Sequence, residues 1–258
     1  MIYKRLTTSL KQQHWMTIVI ELVIVILGVF IGTQVSNWNE NRAERRETAR
    51  LLDQLLPELR AELEFFAGVE RYYQTTRGYA DRTLAAWNGN DETLDSDFVI
   101  AAYQATQING IGINPDSWAL TFGGDQLRNI GDRAVRRDLE VVLTSDYAPV
   151  EFNAVATPYR QHVREIIPVD IQDNIRRVCG DRNVLGHYGT YELILPAECG
   201  LKIDPARAAA TAAALRARPE LVSELRWHVA QLATYLANAE TLAAPMRDLQ
   251  RKLSSAAR

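Results

Sequence analysis

The chain has 258 residues, 47% of them hydrophobic and 24% charged, with a formal net charge of −3. That composition describes a folded globular protein and excludes a disordered or collagen-like one. Two cysteines are too few for a disulfide-dense scaffold or a multi-cysteine zinc module, and the near-neutral charge excludes a dedicated nucleic-acid binder.

Residues 1–15 form a short basic tail carrying Lys4, Arg5 and Lys11. Met16 to Val35 then reads MTIVIELVIVILGVFIGTQV, in which Glu21 is the single charged side chain. Twenty helical residues cover roughly 30 Å, the thickness of a bilayer's hydrocarbon core. The run predicts a transmembrane signal-anchor helix over 16–36, with Trp15 and Trp38 as interface anchors. A cleaved signal peptide would need a shorter apolar core and a small-x-small exit, whereas this exit reads Gly32-Thr33-Gln34-Val35-Ser36. Basic residues on the two flanks nearly tie, since Arg42, Arg45, Arg46 and Arg50 balance the tail. The shortness of the tail and the distant pair Cys179 and Cys199 favour a cytoplasmic N-terminus at a bacterial inner membrane and a periplasmic domain over 37–258. A disulfide between those cysteines closes a short loop and is expected to be worth about 3 kcal/mol. With so short a tail, any signal is expected to pass through the membrane helix or a partner.

At about 100° per residue, Glu21, Val25, Gly28 and Gly32 share one face of this helix, and Ser36 extends it by a turn. Small residues let membrane helices approach closely, and a carboxyl in hydrocarbon needs a partner or protonation. The face is therefore expected to meet a second copy, giving a homodimer, or a partner membrane protein. The alternative is that Glu21 snorkels to the interface.

From Glu21 onward the chain resembles an uncharacterised bacterial single-pass membrane family. Its span holds an early Glu and a later Gly and leaves through Gln into an Asn-rich Trp-Asn-Glu exit. The matching residues are Glu21, Gly28, Gln34, Asn37, Trp38, Asn39, Glu40 and Arg42, with Ser36 where the family often has Asn. A weaker match lies at Gly124, Leu127, Ile130 and Asp132. The resemblance implies a topology and a helical extramembrane domain, not a reaction.

Asn37 to about Ala86 predicts a second helix continuous with the span. Leu52, Leu56, Leu59, Leu63 and Phe66 form a seam of steps of four and three, and Pro57 is expected to kink it. Asn88 to Asp91 reads as a turn. The middle, 89–204, gathers 18 acids against 10 bases. It predicts short helices over 96–108, 117–122, 124–130, 133–146, 149–166 and 170–178, with Ser96, Ser117 and Asp125 as N-caps. Cys179 to Cys199 is the least helical part and has room for a short strand or hairpin. Asp204-Pro205 predicts a cap and a helix to about Ala217, and Pro219 opens a longer one. In that last helix Val222, Leu225, Val229, Leu232, Leu236, Ala239, Ala243, Met246 and Leu253 keep a three-four spacing, with Pro245 as a second expected kink. The expected fold is mainly α: a transmembrane helix continuing into a long helix, packed antiparallel on a long C-terminal helix, with short helices between.

No phosphate loop, dinucleotide fingerprint, nucleophile elbow or zinc-protease motif occurs. No catalytic, cofactor-binding or metal residues are assigned, and no cofactor is expected. Cys179, His187 and Cys199 lack a fourth zinc ligand, so a disulfide is the better reading. His162 and His228 read as surface or packing residues, and Trp118, Phe122, Leu127 and Ile130 as core. The favoured function is a membrane-anchored interaction or sensor-like module. A small-molecule binder, with a pocket lined by Trp118, Tyr103 and Phe122, is the alternative. A membrane-tethered enzyme comes third and would need titratable groups clustered in a cleft.

Overall fold

The fold is that of a computed structural model, which describes residues 15–87, 94–109, 116–122, 124–150 and 156–256. The basic tail with Lys4, Arg5, Lys11 and His14, the turn at 88–91, the turn at 110–112 and the Ser117 capping side chain lie outside the described residues.

Among the described residues there are nine α-helices and one two-stranded sheet. Helix α1 runs from Trp15 to Trp87 without a break, 73 residues in all. Apolar residues make its first half a helix of membrane length, and a three-four stripe carries the second half against the domain. Pro57 sits inside this unbroken helix, and its missing N–H does not end it. The stripe uses Leu55, Leu59 and Phe66 as its most buried positions and leaves Leu52, Leu56 and Leu63 half-buried. It then continues through Val69, Tyr72, Tyr73, Thr76, Tyr79, Ala80 and Thr83.

Helix α2 (Asp95–Gln104) lies at the centre, with every residue from Phe98 to Gln104 buried. It is shorter than the expected 96–108, and Leu94 precedes it without a side-chain cap. Ser96 is already inside the first turn, and its Oγ accepts from the Ile203 amide at 3.3 Å. Helices α3 (Asp116–Phe122), α4 (Asp125–Asn129) and α5 (Arg133–Thr144) follow. The position before α4 belongs to Gly124 rather than Asp125, because the backbone there has a φ of 64°, which glycine tolerates. The cap that does form is Asp132, whose carboxylate accepts from Ala134 at 2.7 Å and Val135 at 3.2 Å. The expected 149–166 helix is divided: a 3-10 turn covers Ala148–Val150 and α6 begins only at Pro158, running to Ile166. Helix α7 is Val169–Cys179.

Strands β1 (Arg182–Leu185) and β2 (Tyr191–Ile194) pair antiparallel, Arg182 opposite Ile194 and Leu185 opposite Tyr191. The hairpin lies tightly on α1. The Glu64 carboxylate accepts from the amides of His187 at 2.8 Å and Tyr188 at 3.0 Å, and Arg71 pairs with Glu192 at 2.8 Å. Gly68 allows that approach, since a Cβ there would fall 2.7 Å from Glu192 Cγ. Cys179 and Cys199 are joined as a disulfide at either end of this segment, with their Cα atoms 5.3 Å apart.

Helices α8 (Pro205–Arg216) and α9 (Glu220–Ala256) complete the chain. Asp204 caps α8 by accepting from Arg207 at 3.1 Å, with Pro205 in the first turn as expected. Helix α9 packs antiparallel along α1: Tyr73 meets Tyr235 with ring centroids 5.1 Å apart, and Leu63 and Phe66 share a groove with Ala243 and Arg247. Its buried line is Leu221, Leu225, His228, Leu232, Tyr235, Ala239, Leu242, Met246, Leu249 and Leu253, alternating by four and three throughout. Pro245, too, lies inside an unbroken helix.

Candidate functional site

Two regions carry chemistry, and they sit at opposite ends of α1. The first is the uncovered N-terminal half. An 18-residue window there has a mean hydropathy of 2.5 and none of it is buried, so this helix is long and apolar enough to cross a membrane. Trp15 is 70% exposed and Trp38 63%, at either end of the run. Arg42 stacks over the Trp38 ring at 5.5 Å, and Asn41 donates to the Asn37 carbonyl at 2.7 Å. Glu21, Val25, Gly28, Gly32 and Ser36 are all exposed. A Cβ at Gly28 or Gly32 would meet nothing within 4 Å. Their lack of side chains is therefore not explained by packing among the described residues. Among the described residues Ser36 bonds only along its own helix, donating to Glu40 at 3.2 Å.

The second region is a polar cluster inside the domain, around one face of α6. Tyr159 donates to the Ala102 carbonyl at 3.0 Å. Arg160 donates to the Thr106 carbonyl, and Arg164 to Thr106 Oγ1 at 3.0 Å and Gln107 Oε1 at 3.0 Å. The ladder continues inward, since Gln107 donates to Gln104 at 3.2 Å and Gln104 to the Cys179 carbonyl at 2.6 Å. From α1, Tyr72 donates to Asp181 at 3.1 Å, and Tyr73 and Tyr235 both donate to the Asn109 carbonyl. Burial, and then the neighbouring Arg164, hold the Arg160 guanidinium down to about 10. Burial also lowers Arg164. His228, fully buried, shares a hydrogen bond of 2.7 Å with Thr157, and burial pushes it down to about 4.

Elsewhere on α1, Glu62 is largely buried, with one carboxylate oxygen unpartnered among the described residues. Burial raises it to about 7. The neighbouring Glu58 accepts from the Trp118 indole at 2.7 Å.

Several sequence expectations resolve differently here. Trp118, Phe122 and Tyr103 are buried core side chains and line none of the cavities described. Trp118 is tied to Glu58 and Tyr103 lies under Arg164, 5.0 Å from the guanidinium carbon, so they serve different parts of the core. Cys179 and Cys199 bond to each other, which leaves no thiolate to join His187 on a metal. His162 is half-buried and contacts Glu224 at 2.9 Å, while His228 belongs to the α9 seam. The arginine pair was missed. Its only sequence signal is Arg160 and Arg164 at helical spacing beside the apolar positions Tyr159, Val163 and Ile167.

No family model, curated protein or solved structure matches this chain.

Proposed function

We propose that the chain is a single-pass protein of the bacterial inner membrane, N-terminus in the cytoplasm, carrying a periplasmic helical domain that acts through protein contacts. The observation that supports it is the bare apolar half of α1, continuous with the helix around which the domain is built. A buried core helix of a soluble protein would show tertiary cover, and this one shows none. The face of Glu21, Val25, Gly28, Gly32 and Ser36 supports self-association, as a homodimer, or pairing with another membrane helix. Resemblance of the span and its exit to an uncharacterised single-pass family points to the same topology.

Two measurements test this reading. Ala230 is exposed on α9, and Ala230→Cys should react with a membrane-impermeant maleimide once the outer membrane is permeabilised. Labelling only after the inner membrane is lysed would reverse the orientation. In a membrane self-association reporter, Gly28→Ile with Gly32→Ile should reduce the signal to background, and an unchanged signal removes the helix contact.

A further inference from the structure

Arg160 and Arg164 stand one turn apart on α6 and reach the chain that follows α2. Every acceptor they use is neutral: the Thr106 carbonyl, the Thr106 hydroxyl and the Gln107 amide oxygen. Among the described residues, no carboxylate lies within ion-pair distance of either guanidinium. Asp181 acts on Arg164 from farther off, and Tyr72 already donates to that carboxylate. Both guanidinium groups are half-buried, and neither has a counter-charge in contact among the described residues. One unspent group lies against the pair and is a donor too: the hydroxyl of Tyr103, whose ring is 5.0 Å from the Arg164 guanidinium carbon. Tyr103 is fully buried and its hydroxyl has no partner among the described residues. Each guanidinium carries five N–H groups, of which these bonds use one on Arg160 and two on Arg164. What this set of residues lacks is a negatively charged acceptor.

We infer that Arg160 and Arg164 form the receptor for a small soluble oxyanion, the carboxylate or phosphate group of a ligand, with the Tyr103 hydroxyl as a neutral donor. Planar forks match paired oxygens, and both arginines are half-exposed, so the two guanidinium groups are reachable from solvent, with the Tyr103 hydroxyl buried behind them. On the membrane reading above, a lipid headgroup is not the source. Tyr72, beside the arginines, is 36 residues beyond Ser36 on one continuous helix, which places it roughly 54 Å away.

Calorimetric titration of the full chain in zwitterionic nanodiscs, at constant ionic strength, tests the site with inorganic phosphate, acetate and chloride as separate titrants. Saturable binding is expected for phosphate or acetate and not for chloride, and whichever oxyanion binds assigns the ligand class. The double variant Arg160→Gln/Arg164→Gln should weaken that binding at least tenfold. Tyr103→Phe removes only the unpartnered hydroxyl and should weaken it several-fold with the melting midpoint unchanged. Absence of saturable heat from both oxyanions, an equal response to chloride, or unchanged affinity in the folded double variant overturns the inference. If the double variant does not fold, unchanged affinity in Tyr103→Phe overturns it instead. A chain that binds the oxyanion but labels with the opposite topology would overturn the membrane reading and leave this site standing.

Discussion

From Trp15 to Glu47 helix α1 has no covered position among those described, and from Thr48 to Ala86 a buried or half-buried residue recurs every three or four. The backbone is the same helix throughout, so the difference lies in the side chains. Within the bare half, Met16 to Val35 is far more apolar than the covered half, which reverses the rule for a water-soluble fold. Its apolar residues also surround the helix, while those of the covered half keep to one stripe. A stripe identifies a helix that packs on protein, and an all-round apolar surface one that needs an apolar solvent. Both halves contain a carboxyl that departs from this pattern, Glu21 in the bare half and Glu62 in the covered half.

The sharpest way to break this comparison is a pair of identical truncations. Leu59 is fully buried, so Leu59→Ala should cost about 2–5 kcal/mol of domain stability. Leu27 is 50% exposed and touches no part of the domain core, so Leu27→Ala should change domain stability by less than about 0.5 kcal/mol. Denaturant unfolding followed by a signal from the domain compares the two. Equal losses would mean that the halves are not separate environments.

The covered half also depends on a covalent tie. The disulfide closes a segment with a sequence separation of 20. Tyr79 donates to the Pro196 carbonyl at 2.8 Å and Arg82 to the Ala197 carbonyl at 3.0 Å, so this segment rests on α1. Cys179→Ala with Cys199→Ala should cost about 3 kcal/mol through the freed unfolded chain. Reduction of the native chain should lower its melting temperature in step, and indifference to a reductant would contradict the bond.

Titration separates the buried groups by sign. Glu62 holds its proton more tightly in the folded state, up to about 7, than in the unfolded chain. Its burial is harmless at pH 4.5 and becomes a growing penalty as pH rises to 7, at most about 3 kcal/mol. Glu62→Gln should therefore raise the melting temperature at pH 8 and leave it unchanged near pH 4. His228 works in the opposite direction. Folding lowers it to about 4, so stability is retained above pH 6.5 and lost as pH falls from 6.5 toward 4. Melting curves of His228→Asn should lose that acid-side slope, and a slope unchanged in the variant would assign it to other groups.

The large elements were legible because their periodicity is long: the apolar run, the unbroken α1 and the seam of α9 all stand out. Several of the details that differ involve polar side chains in the core. The apolar stripe of α1 thins beyond Phe66 in the sequence because Tyr72, Tyr73, Thr76 and Tyr79 do not register as apolar, yet each buries its body and sends its hydroxyl to an acceptor. The expected α9 seam holds at Leu225, Leu232, Ala239, Met246 and Leu253, while Val222, Val229 and Leu236 lie half-buried beside the line, where the polar-looking His228 and Tyr235 take the buried places. Their partners, Thr157 and Asn109, come from distant segments. The arginine site was invisible for the same reason, since Arg160 and its acceptor Thr106 are 54 residues apart. Polar side chains join a core only when the fold supplies a partner, and the one-dimensional pattern does not contain that partner.

Helix starts give the smallest test of the same idea. Ser96 and Asp132 are both residue types that favour N-caps. Only Asp132 has the extended backbone before a helix, with ψ of 114°, that lets its carboxylate turn back onto two amides. Ser96 sits inside α2 and spends its hydroxyl on Ile203, in the segment leading to α8. Asp132→Ala should thus cost about 1 kcal/mol and fray α5 at Ala134 and Val135, visible as faster amide exchange there. Ser96→Ala should leave the first turn of α2 protected and speed exchange at the Ile203 amide instead. If exchange quickened at the start of α2, Ser96 would be a cap after all, and residue type rather than backbone position would decide which polar side chains end a helix.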